Sequence, residues 1–439
     1  MGIPVIFFLF FSFFDGYVWC IDTPTYVYMT VDREPVYPLF LFLFRSVFKT
    51  EDLYLQIAVL FQGLIMAYAI YSITTYISDV FKLNIFESIM IEFIFLLVSL
   101  LCRFAAKRGS MYSNSLLSES LAYPLFILFF RYLFQYLLEN SNKPLIISSV
   151  ISFLMISTRK QMLLSLFLLI IVFVYHVIRS KHYKELLKLV LICLLIMCSN
   201  KTLDYSYNYL MRGLKNTHTS SDRFLATVVF YCSSEEDADQ IKTEETRKIF
   251  LEVYRECKKK GLLKSDKASG WYDVAMHFCD NYDLVQLHNM WPMEKEYALS
   301  LHDVNSNEAE VIVDSYNKEI IRSLIPVIWS SLLHTFACNF LLGLMTTVAA
   351  IREVFKYYMY FICTVYLVLM IYYLKKRSND DITKFAVLLF LSVVMNVGIV
   401  SMVIFTQTRY TIYNMGLFYT SGFLMLRGII KQKINPENN

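Results

Sequence analysis

Residues 21–38 read IDTPTYVYMTVDREPVYP, a polar stretch between an apolar run that starts at Ile3 and another that starts near Asp52. It holds Asp22, Asp32, Arg33 and Glu34 within a dozen or so residues. Carboxylates clustered where a membrane helix emerges pack poorly and are well placed for chemistry. Working outward from this loop, the chain is apolar nearly everywhere. Of 439 residues, 56% are hydrophobic and 18% are charged, against about 25% charged in soluble domains. Mean hydropathy is +0.47. Several runs exceed the roughly 18 apolar residues of a membrane helix, whose backbone must satisfy its own hydrogen bonds in lipid. The fold class expected is therefore an all-α polytopic membrane protein. The formal net charge of +4 gives no nucleic-acid signal. Nine cysteines without a C-x-x-C pair indicate neither a zinc site nor a disulfide framework.

Apolar runs predict helices over about 3–19, 52–77, 86–102, 116–136, 144–157, 162–177 and 189–198, then 357–374, 385–405 and 410–426. Ile3–Phe14 lacks the basic start and small-residue cleavage site of a signal peptide, so it counts as the first membrane helix. The run ending at Arg45 is too short to span and has Pro38 in its first turn, which fits an interfacial helix. Residues 200–318 are polar and mixed in charge, and 320–334 is amphipathic around Pro326 and Trp329. Three regions follow: a transmembrane module over 1–199, an insertion with interfacial helices over 200–350, and C-terminal membrane helices over 351–439.

Lysines and arginines in short loops set orientation. Placing 179–188, 375–377 and 427–433 inside puts the insertion and Arg409 outside, with about ten to eleven helices and both termini inside, provided that 320–350 does not cross fully. Arg33, Arg103, Lys107, Arg108, Arg159, Lys160 and Arg409 then lie outside, against the positive-inside trend. An anionic lipid headgroup, above all a phosphate or pyrophosphate held by arginine forks, is the simplest partner for them as a group. Snorkelling to ordinary phospholipids is the blander account for any one of them. Glu119, among Leu116, Leu117, Leu121 and Ala122, is either a functional acid or a carboxylate favoured by a helix N-terminus, where Ser118 or Ser120 would cap. Glu87 and Glu92 fit pairing with a buried base, Arg131 being a candidate. His277, His288, His302 and His334 have no metal spacing. His288, beside Asn289 and near Trp291, is a candidate for lining a sugar site, as are the faces of Trp271, Tyr272 and Trp291. Two of Cys232, Cys257 and Cys279 could pair.

In order along the chain stand Asp22 with Tyr26 four residues on, Arg33-Glu34-Pro35-Val36-Tyr37-Pro38, Ser118-Glu119-Ser120-Leu121-Ala122, Thr158-Arg159, and Arg409-Tyr410 before the last helix. This order resembles the GT-C superfamily of polyprenyl-phosphate-sugar-dependent glycosyltransferases, especially bacterial members related to the protein mannosyltransferase and aminoarabinose transferase group. The resemblance covers roughly 1–200 and 320–430. It implies a GT-C-like bundle with an extracytoplasmic insertion in the cell membrane. It also implies a lipid-linked sugar donor and a glycan, lipid or protein acceptor, with no cofactor or metal. The base is expected at Asp22, with Asp32 or Glu34 as second candidates. Carrier phosphate is expected at Arg33, Arg103, Lys107, Arg108, Arg159, Lys160 and Arg409. Tyr26, Tyr37, Glu119, Tyr410 and His288 are expected to contact substrate. Thr23 stands where the family often has a second acid, and Thr411-Ile412-Tyr413-Asn414 replaces its usual prolines. A lipid-linked oligosaccharide polymerase or ligase is one alternative. A flippase or transporter is another, and would call for midplane charges and repeat symmetry, which the sequence lacks.

Overall fold

The computed structural model describes residues 2–105, 111–264, 270–350 and 353–434. The described residues form helices and loops, with one isolated bridge between Val18 and Ser115. The helices are α1 (Gly2–Phe14), α2 (Thr23–Val27), α3 (Val36–Val47), α4 (Glu51–Phe81), α5 (Ile85–Ala105), α6 (Glu119–Glu139), α7 (Asn142–Thr158), α8 (Leu164–Ser180) and α9 (Leu186–Arg212). Then come α10 (Ser221–Cys232), α11 (Glu244–Lys259), α12 (Trp271–Val285), α13 (Trp291–Leu301), α14 (Ser306–Thr346), α15 (Lys356–Lys376), α16 (Asp381–Val403) and α17 (Thr408–Ile434).

Among the described residues seven segments are helical, long and apolar enough to cross a membrane: α4, α6, α8 with the turn before it (Lys160–Ser180), α9 with the turn before it (Tyr183–Arg212), α14, α15 and α16. The protein is a multi-pass membrane protein. Helices α1 and α7 are apolar but shorter, at 13 and 17 residues. At 1.5 Å per residue they reach about 20 and 26 Å, against a hydrocarbon core of about 30 Å. The bundle core is aromatic and branched: Ile70, Phe126, Phe130, Phe134, Phe385 and Tyr413 are fully buried or nearly so.

The helix ends sort into two faces. On one face α4 turns into α5 beside the end of α17, where Arg427 pairs with Glu87 at 2.6 Å. The turns from α6 to α7, α8 to α9 and α15 to α16 lie there too, and Lys188 reaches Asn142 at 2.5 Å. Arg131, the expected partner of Glu87, instead donates to Gln135 at 2.8 Å and stacks on Tyr132 at 4.0 Å. Glu87 sits in the first turn of α5, where Arg427 arrives from α17. Glu92 lines a cleft on this face with Gly2, Ile3, Leu83 and Ile85.

The opposite face carries the loop 15–35, the start of α6, the end of α7, the start of α17 and a polar layer made of α10–α13. That layer has its own core, in which Phe230, Phe250, Val253 and Phe278 continue into Val400, Phe405 and Tyr410 of the bundle.

Two elements differ from expectation. α9 does not end near 198 but runs to Arg212, past the expected boundary at 200, because Asp204 and Asn208 on its final turns are buried against polar partners. Residues 320–350 are not separate pieces: Pro326 and Gly343 lie inside one 41-residue helix, α14. Its start is capped by Asn305 and Glu308 reciprocally, a capping box. Its end wedges against the α16–α17 connection. Asn339 donates to Ile404 O at 2.9 Å and accepts from Thr406 N at 2.9 Å, and Thr411 donates to Thr346 O at 2.8 Å.

Candidate functional site

Asp22 stands at the N-cap of α2 yet makes no capping bond there. Its carboxylate turns outward because the segment beneath it is tied down. Val18 N donates to Asn114 O at 2.8 Å, Leu116 N to Val18 O at 3.1 Å and Thr23 Oγ1 to Leu116 O at 3.0 Å. These bonds lay the first loop across the start of α6. Asp22 Oδ1 then accepts from Arg33 Nη2 at 3.0 Å and Oδ2 from Arg409 Nη2 at 2.9 Å.

Arg409 also donates through Nε to Glu119 Oε1, and Arg159 Nη1 reaches the same oxygen at 2.8 Å. Glu119 has no solvent exposure. Ser118 does not cap α6; its hydroxyl meets Tyr26 OH at 3.0 Å and Arg159 Nη1 at 3.4 Å. Ser120 likewise is spent on Leu117 O, at 2.6 Å. Guanidiniums stack on the aromatic walls: Arg33 lies 4.8 Å over Tyr26 and Arg159 5.1 Å over Tyr410. The cluster is thus Arg33, Arg159 and Arg409 against Asp22 and Glu119, with Asp32 at the side of Arg33. Asp22 keeps a quarter of its side chain exposed, so the network opens at its carboxylate.

Burial alone would raise the pKa of Asp22; the Arg33 and Arg409 guanidiniums more than reverse this and hold it below the ordinary 3.8. Asp22 is ionised at neutral pH. Asp32 is also held low: burial is outweighed by Arg33, at 3.5 Å, and by Arg223 of α10, at 3.9 Å.

The other expected residues are distributed as follows. Asp32 is buried and faces Arg33 and Arg223 beside the cluster. Glu34 accepts from the backbone N of Lys160 at 2.9 Å and lies 3.9 Å from His218, so it braces the rim. The Lys160 side chain is exposed there. Tyr37 is fully buried behind Tyr26, donating to Gln62 at 3.0 Å, and reaches no open surface. Arg103 pairs with Asp15 after α1 and stacks on Phe11 at 5.3 Å, apart from Asp22. Lys107 and Arg108 lie outside the described residues. His288 is exposed on the turn after α12, near Asp283. Trp271 packs in the α12–α14 contact, and Trp291 carries Arg223 over its ring at 4.4 Å. Cys232, Cys257 and Cys279 are all free thiols. Among the described residues no group of three or more His, Cys, Asp or Glu is arranged to hold a metal ion.

Several residues at the site escape sequence reasoning. Arg223 bridges Asp32 and Glu310, each at 3.9 Å. His218 Nδ1 meets Asp204 at 2.5 Å, and Thr219 N donates to Val31 O at 3.0 Å, strapping the α9–α10 connection over the first loop. Asp283 of α12 lies within electrostatic reach of Arg409 and Asp22. Gln161 touches Arg159, Asn396 and Tyr410. Arg223, His218, Thr219 and Gln161 each pair across a long stretch of chain, and no local spacing signals it. Compared with family models, with curated proteins and with solved structures, the chain finds no match in any of the three.

Proposed function

We propose that this protein is a membrane glycosyltransferase that moves a sugar from a polyprenyl-phosphate carrier to an acceptor hydroxyl outside the cell membrane. The observation that carries this reading is Asp22, an ionised, partly open carboxylate gripped by Arg33 and Arg409 at 3.0 and 2.9 Å. The donor phosphate draws on Arg409, Arg159 and Arg33, whose forks match its oxygens and stabilise the charge that develops as it leaves. As a guanidinium turns toward phosphate, Asp22 loses part of its pairing and its proton affinity rises. It then takes the proton of the acceptor hydroxyl, whose oxygen bonds to the anomeric carbon as the carbon–phosphate-oxygen bond breaks on the opposite face. The sugar is transferred with inversion, and polyprenyl phosphate leaves.

The outward site requires ten crossings, α1, α4, α5, α6, α7, α8, α9, α15, α16 and α17, with α1 and α7 crossing despite their length. It also requires α14, though long enough to cross, to enter and leave on one face. Lysines and arginines at 179–188, 375–377 and 427–431 gather on the face opposite Asp22, which supports an outward site. The test is an assay of the purified protein with a polyprenyl-phosphate sugar. Release of polyprenyl phosphate with a glycosylated product supports the assignment. Movement of the donor between leaflets with its sugar bond intact overturns it in favour of a flippase.

A further inference from the structure

Arg159 and Arg409 present like charges to one oxygen of Glu119. Two guanidiniums that close repel each other; Glu119 offsets that repulsion, and a neutral brace holds their spacing without weakening either charge. Gln161 is placed to do so. Its Oε1 accepts from Arg159 Nε at 3.2 Å, while its Nε2 donates to Asn396 Oδ1 and to Tyr410 O, both at 2.7 Å. Asn396, fully buried on α16, donates in turn to Tyr410 O at 3.0 Å. The two amides close a ring of hydrogen bonds over three separate elements: the turn that carries Arg159, the body of α16, and the first turn of α17 that carries Arg409. Neither amide carries charge, and neither touches Glu119 or Asp22 in this ring.

From this geometry we infer that Gln161 and Asn396 are positioning residues that set the distance between Arg159 and Arg409 for one phosphate group. A phosphate presents its oxygens at a fixed spacing, so a bidentate grip needs its two cations registered before the anion arrives. Gln161 does this from the second turn residue after Arg159, with Asn396 anchoring it to a helix that itself contributes no charge to the cluster.

The inference rests on the phosphate-binding reading of the cluster, and the experiment separates the two. Full-length protein in phosphatidylcholine nanodiscs is titrated with farnesyl phosphate and, in parallel, with farnesol. Wild type should prefer the phosphate, and Arg409→Ala should lose that preference. Gln161→Met and Asn396→Ala should each weaken farnesyl phosphate binding about tenfold, the scale of a lost hydrogen bond to a charged group. Farnesol binding should stay near wild type, and both variants should stay folded, with Tm lowered more for the fully buried Asn396. The double variant should be no weaker than either single one, because one ring is broken once. If wild type shows no preference for phosphate, the phosphate-binding reading falls and this inference with it. If wild type and Arg409→Ala behave as expected but Gln161→Met and Asn396→Ala bind phosphate like wild type, the clamp alone is wrong. Equal losses for farnesyl phosphate and farnesol, or a variant that fails to fold, would show general packing and also overturn the clamp.

Discussion

Glu119 and Asp22 share Arg409, yet they differ in what their removal should do. Glu119 is sealed from solvent and compensates two guanidiniums. Removing one partner of a buried ion network leaves charge uncompensated, at a cost of about 3–5 kcal/mol. Glu119→Gln should therefore lower Tm markedly. Asp22 is a quarter exposed, and water can take over its part. Asp22→Asn should leave the protein folded and inserted while transfer falls by roughly 10²–10⁴-fold, the contribution of a general base; full activity in that variant would remove Asp22 from the chemistry. A separate acid tests pH dependence. Glu294 of α13 is buried, which pushes its pKa up to about 8 from 4.5, with Arg223 and Asn317 opposing and Glu310 adding. Below 4.5 the group is protonated folded or unfolded. As pH rises from there to about 8, only the unfolded chain ionises, so this contribution to stability is progressively lost. Melts at pH 5 and 8.5 should show that loss in wild type and a flatter profile in Glu294→Gln. At this scale the sequence was most legible where an acid or arginine sat at a helix mouth, as at Asp22, Arg33, Glu119, Arg159 and Arg409. Tyr37 and Arg103 lay in the same mouths but found local partners, Gln62 and Asp15, which no motif could show.

Elements were legible where lipid alone dictates them and less so where packing overrides local signals. Pro326 and Gly343 mark breaks in a sequence read by itself, since proline removes a backbone donor and glycine adds backbone freedom. α14 continues through both, packed on one side by α10, α12 and α16, while Pro326 itself lies on the exposed side. Gly343 serves packing: a Cβ there would meet Val397 Cγ1 at 2.5 Å and Thr406 Cγ2 at 2.9 Å. Gly343→Ala should cost about 1–3 kcal/mol by overpacking, and it should loosen the end of α14 from Asn339's contacts. Gly422, inside α17, meets nothing within 4 Å. Gly422→Ala should be neutral or stabilise by up to about 1 kcal/mol through helix propensity. Thermal unfolding of the two variants in one detergent would compare them directly. Equal effects would mean that α14 does not pack on α16 as described. The extension of α9 to Arg212 has the same origin. Asp204, Asn208 and Arg212 look like the start of a polar loop, but their partners His218 and Tyr207 keep the helix going.

For the whole molecule, the asymmetry between the two faces is the feature that loop composition alone could predict. Positive charge resists translocation, so the face carrying Lys181, Lys184, Lys188, Lys375 and Lys376 belongs on the side from which the chain is inserted. On the proposed orientation the polar layer α10–α13 and the Asp22 cluster lie across the membrane from it. The path of the chain agrees: the last turns of α14 meet Ile404, Thr406 and Thr411 on the cluster face, and Tyr366 on α15 reaches Ser421 further along α17 at 3.0 Å on the way to the basic face. The alternative is that α14 crosses fully, in which case α15 starts on the basic face and every later loop inverts. Cysteines placed singly at exposed positions in a cysteine-free background distinguish the two. Lys184→Cys and Lys376→Cys should react with a membrane-impermeant maleimide only after permeabilisation. Asp239→Cys and Lys258→Cys, both in the polar layer, should react in intact cells. Labelling at 376 in intact cells would place the 15–16 turn outside, and labelling at 184 would turn the whole bundle over; either result puts Arg409 or Asp22 on the cytosolic side, where a donor presented from the outer leaflet could not reach it.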